Sequence, residues 1–421
     1  MRIAYVVQWF LPRHTAGTEV YTYQLASALA SQHEVSIYCR EEGHSEGGFH
    51  EEADEYGGLP VHRVYYNPPA GPLRPLAKAV ARFHNPTIAA SFARYLRSLR
   101  PDVVHFHHLV KLSGSLIGVA QELGIPTVVT LHDYWFLCHN GQLLRPGEVV
   151  CAGPAGGWRC GACAEVPGGA IMQRALAPFI APLMAYRTRT LRRALERADA
   201  IISPSAYLAD VFVRHGLPRE RVLVNDNGID LSWRPLVRRR RRVTLRVGYI
   251  GTLARHKGVH LLVAAFRDLG LSNVALDIYG DPETDPVYTA ELQRLAFGQR
   301  VRFVGPFPHE EIARVLSAID LLVVPSLWPE NSPLAIHEAR AARVPVLAAD
   351  IGGMTELVQE GLAGWLFRAS DLSDLRQQLH WILTHPERLA QVRRQMRPVK
   401  SIAENAVELM ALYERLIAAR R

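Results

Sequence analysis

The residues with the clearest chemical capacity lie between Val323 and Glu338, in the run V-V-P-S-L-W-P-E-N-S-P-L-A-I-H-E. Leu321–Val324 is a short apolar stretch that reads as a buried strand. Pro325 and Pro329 break it into a loop, Ser332 takes the helix N-cap, and Pro333 takes the first helical position. The amides of Leu334 and Ala335 are then unpaired at a helix start, which is an anion site. Glu330 stands just before that start, and Glu338 lies about 7.5 Å past Pro333 along the axis, at about 1.5 Å per residue. A carboxylate at the mouth, an anion hole and a second carboxylate further in suit a sugar, a diphosphate and a ribose. Two surface glutamates flanking a helix are the plainer alternative.

Other polar residues fall at strand ends and strand-to-helix turns. Ala16-Gly17-Thr18-Glu19 opens a helix after the first strand, and G-T-L-A-R-H-K-G spans Gly251–Gly258 with Arg255 and Lys257 inside it. Gly305–Phe307 and the pair Gly352-Gly353 follow further apolar runs. Two histidine motifs close strands: H-F-H-H, with His105, His107 and His108, and T-L-H-D-Y-W, with His132 and Asp133. Ligands bind at such ends of parallel sheets, although a histidine bonded to nearby backbone would sit there too. The dinucleotide fingerprint G-x-G-x-x-G is absent from the first turn, which argues against a dehydrogenase.

Together these motifs resemble the retaining GT-B glycosyltransferases of family 4, the glycosyl transferases group 1. The resemblance rests on E-x7-E at Glu330 and Glu338, G-x-L-x-x-x-K-G at Gly251–Gly258, H-D at His132-Asp133, and N-G-I-D at Asn227–Asp230. The turn at Gly17 is similar to the family's G-G-x-E, with Ala16 in place of the first glycine. The resemblance implies two Rossmann-like doubly wound domains facing a cleft. It implies a hexosyltransferase that moves a hexose from a UDP- or GDP-sugar to a hydroxyl with retention. In it, Lys257, with Arg255 beside it, neutralises the departing diphosphate, where fixed cations stabilise the transition state more than the ground state. The family's arginine follows the first glycine of that loop; here Thr252 holds that place, so Arg255 must substitute. Glu330 orients the donor hexose and Glu338 bonds the ribose hydroxyls. Gly17, Gly352 and Gly353 let backbone approach the donor, Leu334 and Ala335 offer amides, Phe307 walls the base, and His132 lines the acceptor side. No cofactor or metal is required for that chemistry.

Cys138, Cys151, Cys160 and Cys163 follow T-L-H-D-Y-W in a Gly- and Pro-rich segment. Thiolates at this spacing can make a tetrahedral structural zinc site that orders a loop lacking a core. Thiols without metal, disulfides or an iron–sulfur cluster are the alternatives, and a reducing compartment disfavours disulfides. The insertion is given a structural or acceptor-shaping part.

These residues need a scaffold of alternating strands and helices, which predicts parallel sheets. Strands are expected at Ile3–Val7, Glu34–Cys39, Val61–Tyr66, Val103–Phe106, Thr127–Leu131 and Ala200–Pro204, with Glu41–Gly58 as a surface loop. A second series begins at Thr244–Ile250. Residues 1–235 plus 400–421 form the expected acceptor-binding domain, with the Cys-rich insertion at 138–163; residues 243–399 form the nucleotide-sugar-binding domain. At 421 residues two domains are the natural reading. Arg238–Arg242 reads as a solvated linker between them.

Net charge is +8, almost all of the basic residues are arginine, and no nucleic-acid module is present, so phosphorylated ligands or an anionic membrane surface are the expected partners. Met172–Ala198 reads as a helix mixing Arg187, Arg189, Arg192, Arg193 and Arg197 with Phe179, Ile180 and Leu183. Such a helix can lie on anionic lipid or pack on the sheet with a solvated arginine face. No leader or membrane-spanning run is read, so the expected location is cytoplasmic, with peripheral contact at the inner face of the membrane. A lipid-linked or polysaccharide glycan is the expected acceptor. A soluble acceptor, a nucleotide-sugar epimerase and a non-catalytic binding protein are the alternatives.

Overall fold

The computed structural model describes residues 1–42, 48–67, 74–161, 163–164, 169–237 and 243–420. The arginine run 238–242 lies outside them. The chain divides into two compact units. One comprises Met1–Leu143, Ala152–Gly228 and Ser401–Arg421; the other comprises Leu144–Cys151 and Ile229–Lys400.

The first unit is built on an eight-stranded sheet. Its strands are β1 (Arg2–Val7), β2 (Glu34–Glu41), β3 (Gly48–Tyr56), β4 (Leu59–Asn67), β5 (Val103–Phe106) and β6 (Thr127–Thr130). After the short hairpin β7 (Leu144–Arg145) and β8 (Val149–Val150) come β9 (Ala200–Ser203) and β10 (Val222–Val224). The order is β10-β9-β6-β5-β1-β2-β4-β3. The inner strands are buried at every position, as their unbroken Val- and Ile-rich runs require when both faces of a parallel sheet are covered. The C-terminal helix Ile402–Ala418 belongs to this unit, starts with a Ser401/Glu404 capping box and packs on the helix Gly17–Ala30. The Tyr21 hydroxyl donates to Asn405 Oδ1 at 2.7 Å.

The segment expected as a surface loop at Glu41–Gly58 contains β3, which pairs antiparallel with β4 at the sheet edge. Its run F-H-E-E-A-D-E-Y is too acidic to read as a strand, yet charge is what a sheet edge tolerates. The fully buried Arg63 on β4 bonds Asp54 of β3 at 2.7 Å, Glu41 of β2, and the Leu11 carbonyl at 2.7 Å.

The second unit holds a six-stranded, wholly parallel sheet: β11 (Leu245–Ile250), β12 (Val274–Tyr279), β13 (Val301–Phe303), β14 (Leu321–Val324), β15 (Val346–Ala349) and β16 (Gly364–Phe367). The order is β13-β12-β11-β14-β15-β16. Progression runs outward in opposite senses from β11 and β14. The loops leaving those two neighbouring strands therefore diverge, and the gap between them is a switch point for ligand binding. The first sheet has its switch between β1 and β5.

Candidate active site

In the second unit the switch point brings together residues far apart in sequence. The loop after β11 carries Lys257 and the loop after β14 carries Glu330; Lys257 Nζ lies 2.9 Å from Glu330 Oε2. The Leu327 amide donates to the His256 carbonyl at 2.9 Å, so the two loops are stitched by backbone. Gly258 is left-handed (φ 68°), and a Cβ there would collide with the Pro325 carbonyl oxygen. Only glycine gives this approach without displacing the loop. Lys257 also sits 5.5 Å above the Trp328 ring, and Ser326 Oγ donates to Glu330 Oε1. Glu330 is 6% exposed, which is tolerable because both of its oxygens are engaged.

The helix after this loop spans Leu334–Ala341, with Pro333 at the N-cap position and no side-chain cap. This corrects the expected start by one residue: Ser332 does not cap, and its hydroxyl lies 2.7 Å from His337 Nε2 instead. Leu334 and Ala335 are the first two helical residues, where amides have no partner within the helix. Glu338 is 6% exposed, and its Oε1 lies 2.8 Å from His309 Nε2. The hydrogen bond to Glu338 raises the His309 pKa above its ordinary value against the opposing effect of burial. Gly352, also left-handed (φ 69°), leaves no room for a Cβ against the Glu330 carbonyl, and the Gly353 amide donates to that carbonyl at 2.7 Å. Phe307 packs edge-on against Tyr279, with centroids 5.7 Å apart.

Arg255 does not join the Lys257–Glu330 pair. Its guanidinium bonds Glu291, lies 3.5 Å from Glu148 Oε1 and stands 5.2 Å over the Tyr288 ring.

In the first unit, Gly17 opens the helix Gly17–Ala30 after an extended Ala16. His107 follows β5 and His132 follows β6, with His107 Nδ1 3.2 Å from His132 Nε2. His105 Nδ1 lies 2.6 Å from the Tyr413 hydroxyl and Nε2 lies 2.7 Å from Thr130 Oγ1. Burial pushes His105 down to about 3, and burial with neighbouring imidazoles pushes His107 and His132 well below the ordinary range. These rings are neutral at physiological pH. His108 is the exception: burial opposes its charge, but Asp133 at 2.9 Å and nearby Glu19 raise its pKa. Asp133 also accepts from the Trp135 amide at 2.7 Å. Burial raises the pKa of Glu19, which is 1% exposed.

Cys138, Cys160 and Cys163 fall in the first unit and Cys151 in the second. Cys138 and Cys160 bear electrostatically on the buried Arg187, whose pKa burial lowers to about 10. Among the described residues no three His, Cys, Asp or Glu side chains are grouped to hold a metal ion.

Sequence reasoning gave no role to Ser326 and Trp328, which lie in the Glu330 loop itself, and it missed His309, Glu148, Glu291 and Tyr288. Nothing local marks the last four, each of which reaches its partner from another segment of the chain.

Comparison with known proteins identifies the family and the fold. Residues 15–233 match Glycosyltransferase Family 4, and residues 242–398 match Glycosyl transferases group 1. A D-inositol 3-phosphate glycosyltransferase of Catenulispora acidiphila is 29% identical over 348 residues, covering 77% of this chain and 73% of that protein. A glycogen synthase of Mycobacterium tuberculosis is 26% identical over 397 residues, covering 92% and 87% respectively. Among solved structures, sucrose-phosphate synthase from Thermosynechococcus elongatus superposes with a TM-score of 0.71 at 21% identity, covering 99% of each chain. Anabaena HepE in complex with UDP and glucose gives 0.68 at 17% identity, covering 98% of this chain and 99% of that one.

Proposed function

The chain belongs to glycosyltransferase family 4 and has the GT-B fold; from that premise we propose that it moves a hexose from a UDP- or GDP-sugar to a hydroxyl of a glycan acceptor, with retention of configuration. The observation that carries this reading is the Lys257–Glu330 pair at the switch point of the second sheet, followed by the helix Leu334–Ala341 that carries the buried Glu338.

The roles follow from charge and place. Lys257, with the amides of Leu334 and Ala335, receives the diphosphate, and Arg255 is drawn to it from its carboxylate partners. Glu330, engaged by Lys257 and Ser326, is fixed to orient the hexose hydroxyls, and Glu338 accepts from the ribose. Gly352 and Gly353 bring backbone against the donor, and Phe307 borders the base. The acceptor oxygen attacks the anomeric carbon on the face that the leaving phosphate departs. One carbon–oxygen bond forms as the other breaks, and the acceptor proton passes to the leaving phosphate oxygen. The cations stabilise charge that grows on the diphosphate as the bond breaks. His132, neutral and held by His107, serves the acceptor side as a hydrogen-bonding group.

A lipid-linked or polysaccharide acceptor is supported by the helix Gly169–Arg197, which exposes Phe179 and Tyr186 beside Arg189, Arg192, Arg193 and Arg197. No helix among the described residues is long and apolar enough to cross a membrane, so contact with lipid would be at the surface. Co-sedimentation with anionic liposomes across a salt series checks it; salt-insensitive binding, or none, removes it. A soluble acceptor is the second reading, favoured by relatives named for D-inositol 3-phosphate and maltose-1-phosphate. Structural zinc at the four cysteines rests on their spacing alone. Close to one equivalent of metal in anaerobically purified protein supports it, and less than about a tenth of an equivalent removes it.

The deciding experiment is a calorimetric screen of nucleotide-sugars and nucleoside diphosphates against wild type and Glu338→Ala. Binding of one nucleotide family, weakened at least about tenfold in the variant, is the expected result for loss of a charged hydrogen bond to ribose. Absence of any nucleotide binding to wild type overturns the reading.

A further inference from the structure

The hairpin β7–β8 lies inside the Cys-rich insertion, yet it groups with the second unit. Leu144 pairs with Val150 and Arg145 with Val149, which leaves Pro146, Gly147 and Glu148 as the tip. Gly147 and Glu148 are both left-handed, with φ of 78° and 64°. Glycine adopts that conformation readily. Glutamate does not, so its presence at the tip calls for a compensating contact.

The contact is with the loop that follows β11 and the helix it feeds. Glu148 Oε1 lies 3.5 Å from Arg255 Nη1, and Oε2 lies 3.9 Å from His260 Nε2. Glu291 holds the same guanidinium from a different helix. Tyr288 lies beneath it, and the Tyr288 hydroxyl lies 2.8 Å from His260 Nδ1. One positive charge thus faces two carboxylates, and the cluster is net negative when His260 is neutral. Burial depresses the pKa of His260, with Glu148 opposing, so neutral is its ordinary state.

We propose that Glu148 is a positioning residue that competes with the donor diphosphate for Arg255. The hairpin lays a counter-ion on the guanidinium, and donor binding must take Arg255 away from it. This rests on the reading of Arg255 as a diphosphate ligand. The insertion, otherwise a structural or acceptor-shaping feature, thereby sets donor affinity. Side-chain exposures of 50% for Arg255 and 36% for Glu148 make the coupling moderate and open to screening by salt.

Titration with UDP, and with GDP in parallel, on wild type, Glu148→Gln, Arg255→Ala, Lys257→Ala and the Glu148→Gln/Arg255→Ala double variant tests the proposal. Glu148→Gln should tighten binding about two- to fivefold at low ionic strength, with the gain shrinking at high salt. Arg255→Ala should weaken binding, and the double variant should bind like Arg255→Ala alone. Glu148→Gly, which also relieves the left-handed backbone, should match Glu148→Gln. Unchanged or weaker binding in Glu148→Gln overturns the proposal, as does tightening that persists without Arg255 or a gap between the Gln and Gly variants. If Lys257→Ala loses binding and Arg255→Ala does not, the donor site stands and the proposal falls. If wild type binds neither nucleotide, both fall.

Discussion

Both sheets gather polar side chains beyond the C-terminal ends of neighbouring parallel strands, but the electrostatic balance differs: apart from the His108–Asp133 pair, the first unit groups uncharged rings and the second groups ion pairs. At the ends of β5 and β6 the first unit gathers His105, His107 and His132, which burial and mutual proximity keep neutral. Around the ends of β11 and β14 the second unit pairs carboxylates with basic side chains: Glu330 with Lys257, Glu338 with His309, and Glu291 with Arg255. A neutral imidazole cluster can orient hydroxyls but cannot stabilise a growing dianion. Basic side chains already paired with carboxylates could, if an incoming phosphate exchanged for the carboxylate.

The largest expected effect breaks or sustains that contrast directly. Lys257→Ala should lower turnover about 10²–10³-fold, the usual cost of losing one fixed charge donor at a developing oxyanion. His132→Ala should cost about tenfold, the worth of a neutral hydrogen bond. Release of nucleoside diphosphate from the tightest-binding nucleotide-sugar measures both. Equal losses would mean that the histidine centre carries charge and that the contrast is false.

Much of this was legible in the chain. The family motifs lie in short runs, so E-x7-E at Glu330 and Glu338, the lysine-glycine loop and H-D at His132 pointed to the GT-B fold and to a glycosyltransferase, and both are borne out. Pairings between loops were not legible. His309 meets Glu338, and Glu148 meets Arg255, only in the folded chain, since each pair joins segments far apart in sequence. β3 was missed for a different reason. An edge strand needs one partner and no buried face on its open side, so Glu51, Glu52, Asp54 and Glu55 leave no apolar alternation to detect. The helix start was displaced by one residue because Ser332 spends its hydroxyl on His337 rather than on a helix amide.

The next effect is on stability and sharpens the geometric side of the comparison. Gly258→Ala should destabilise the protein by about 3 kcal/mol, since it combines a left-handed backbone with a collision against the Pro325 carbonyl. Gly270, also left-handed but open on its Cβ side, should cost about 1–2 kcal/mol when replaced by alanine, from backbone alone. Urea unfolding of both variants reads the difference. Equal costs would show that the two loops of the second unit are not held as tightly as the Leu327–His256 hydrogen bond implies.

The last effect comes from pH, and here His105 and His309 should differ in sign. His105 in the first unit has its folded pKa depressed to about 3 by burial. Its contribution is present above the ordinary pKa of about 6.5 and is lost as pH falls toward 3, because only the unfolded chain takes up the proton. At pH 5 the loss from His105 alone is about 2 kcal/mol, and His107 and His132 act in the same direction. His309 in the second unit is the reverse: its hydrogen bond to Glu338 raises the folded pKa, so its contribution is full below the ordinary value and is lost as pH rises through the raised one. Unfolding followed between pH 5 and pH 8 should therefore show the wild type weakening on the acid side. His309→Gln should flatten the alkaline side, and His105→Gln, if it folds, should flatten the acid side. An acid side left unchanged by His105→Gln would mean that the ring is not neutral in the folded protein, and the contrast between a neutral centre and a charged one would lose its first half.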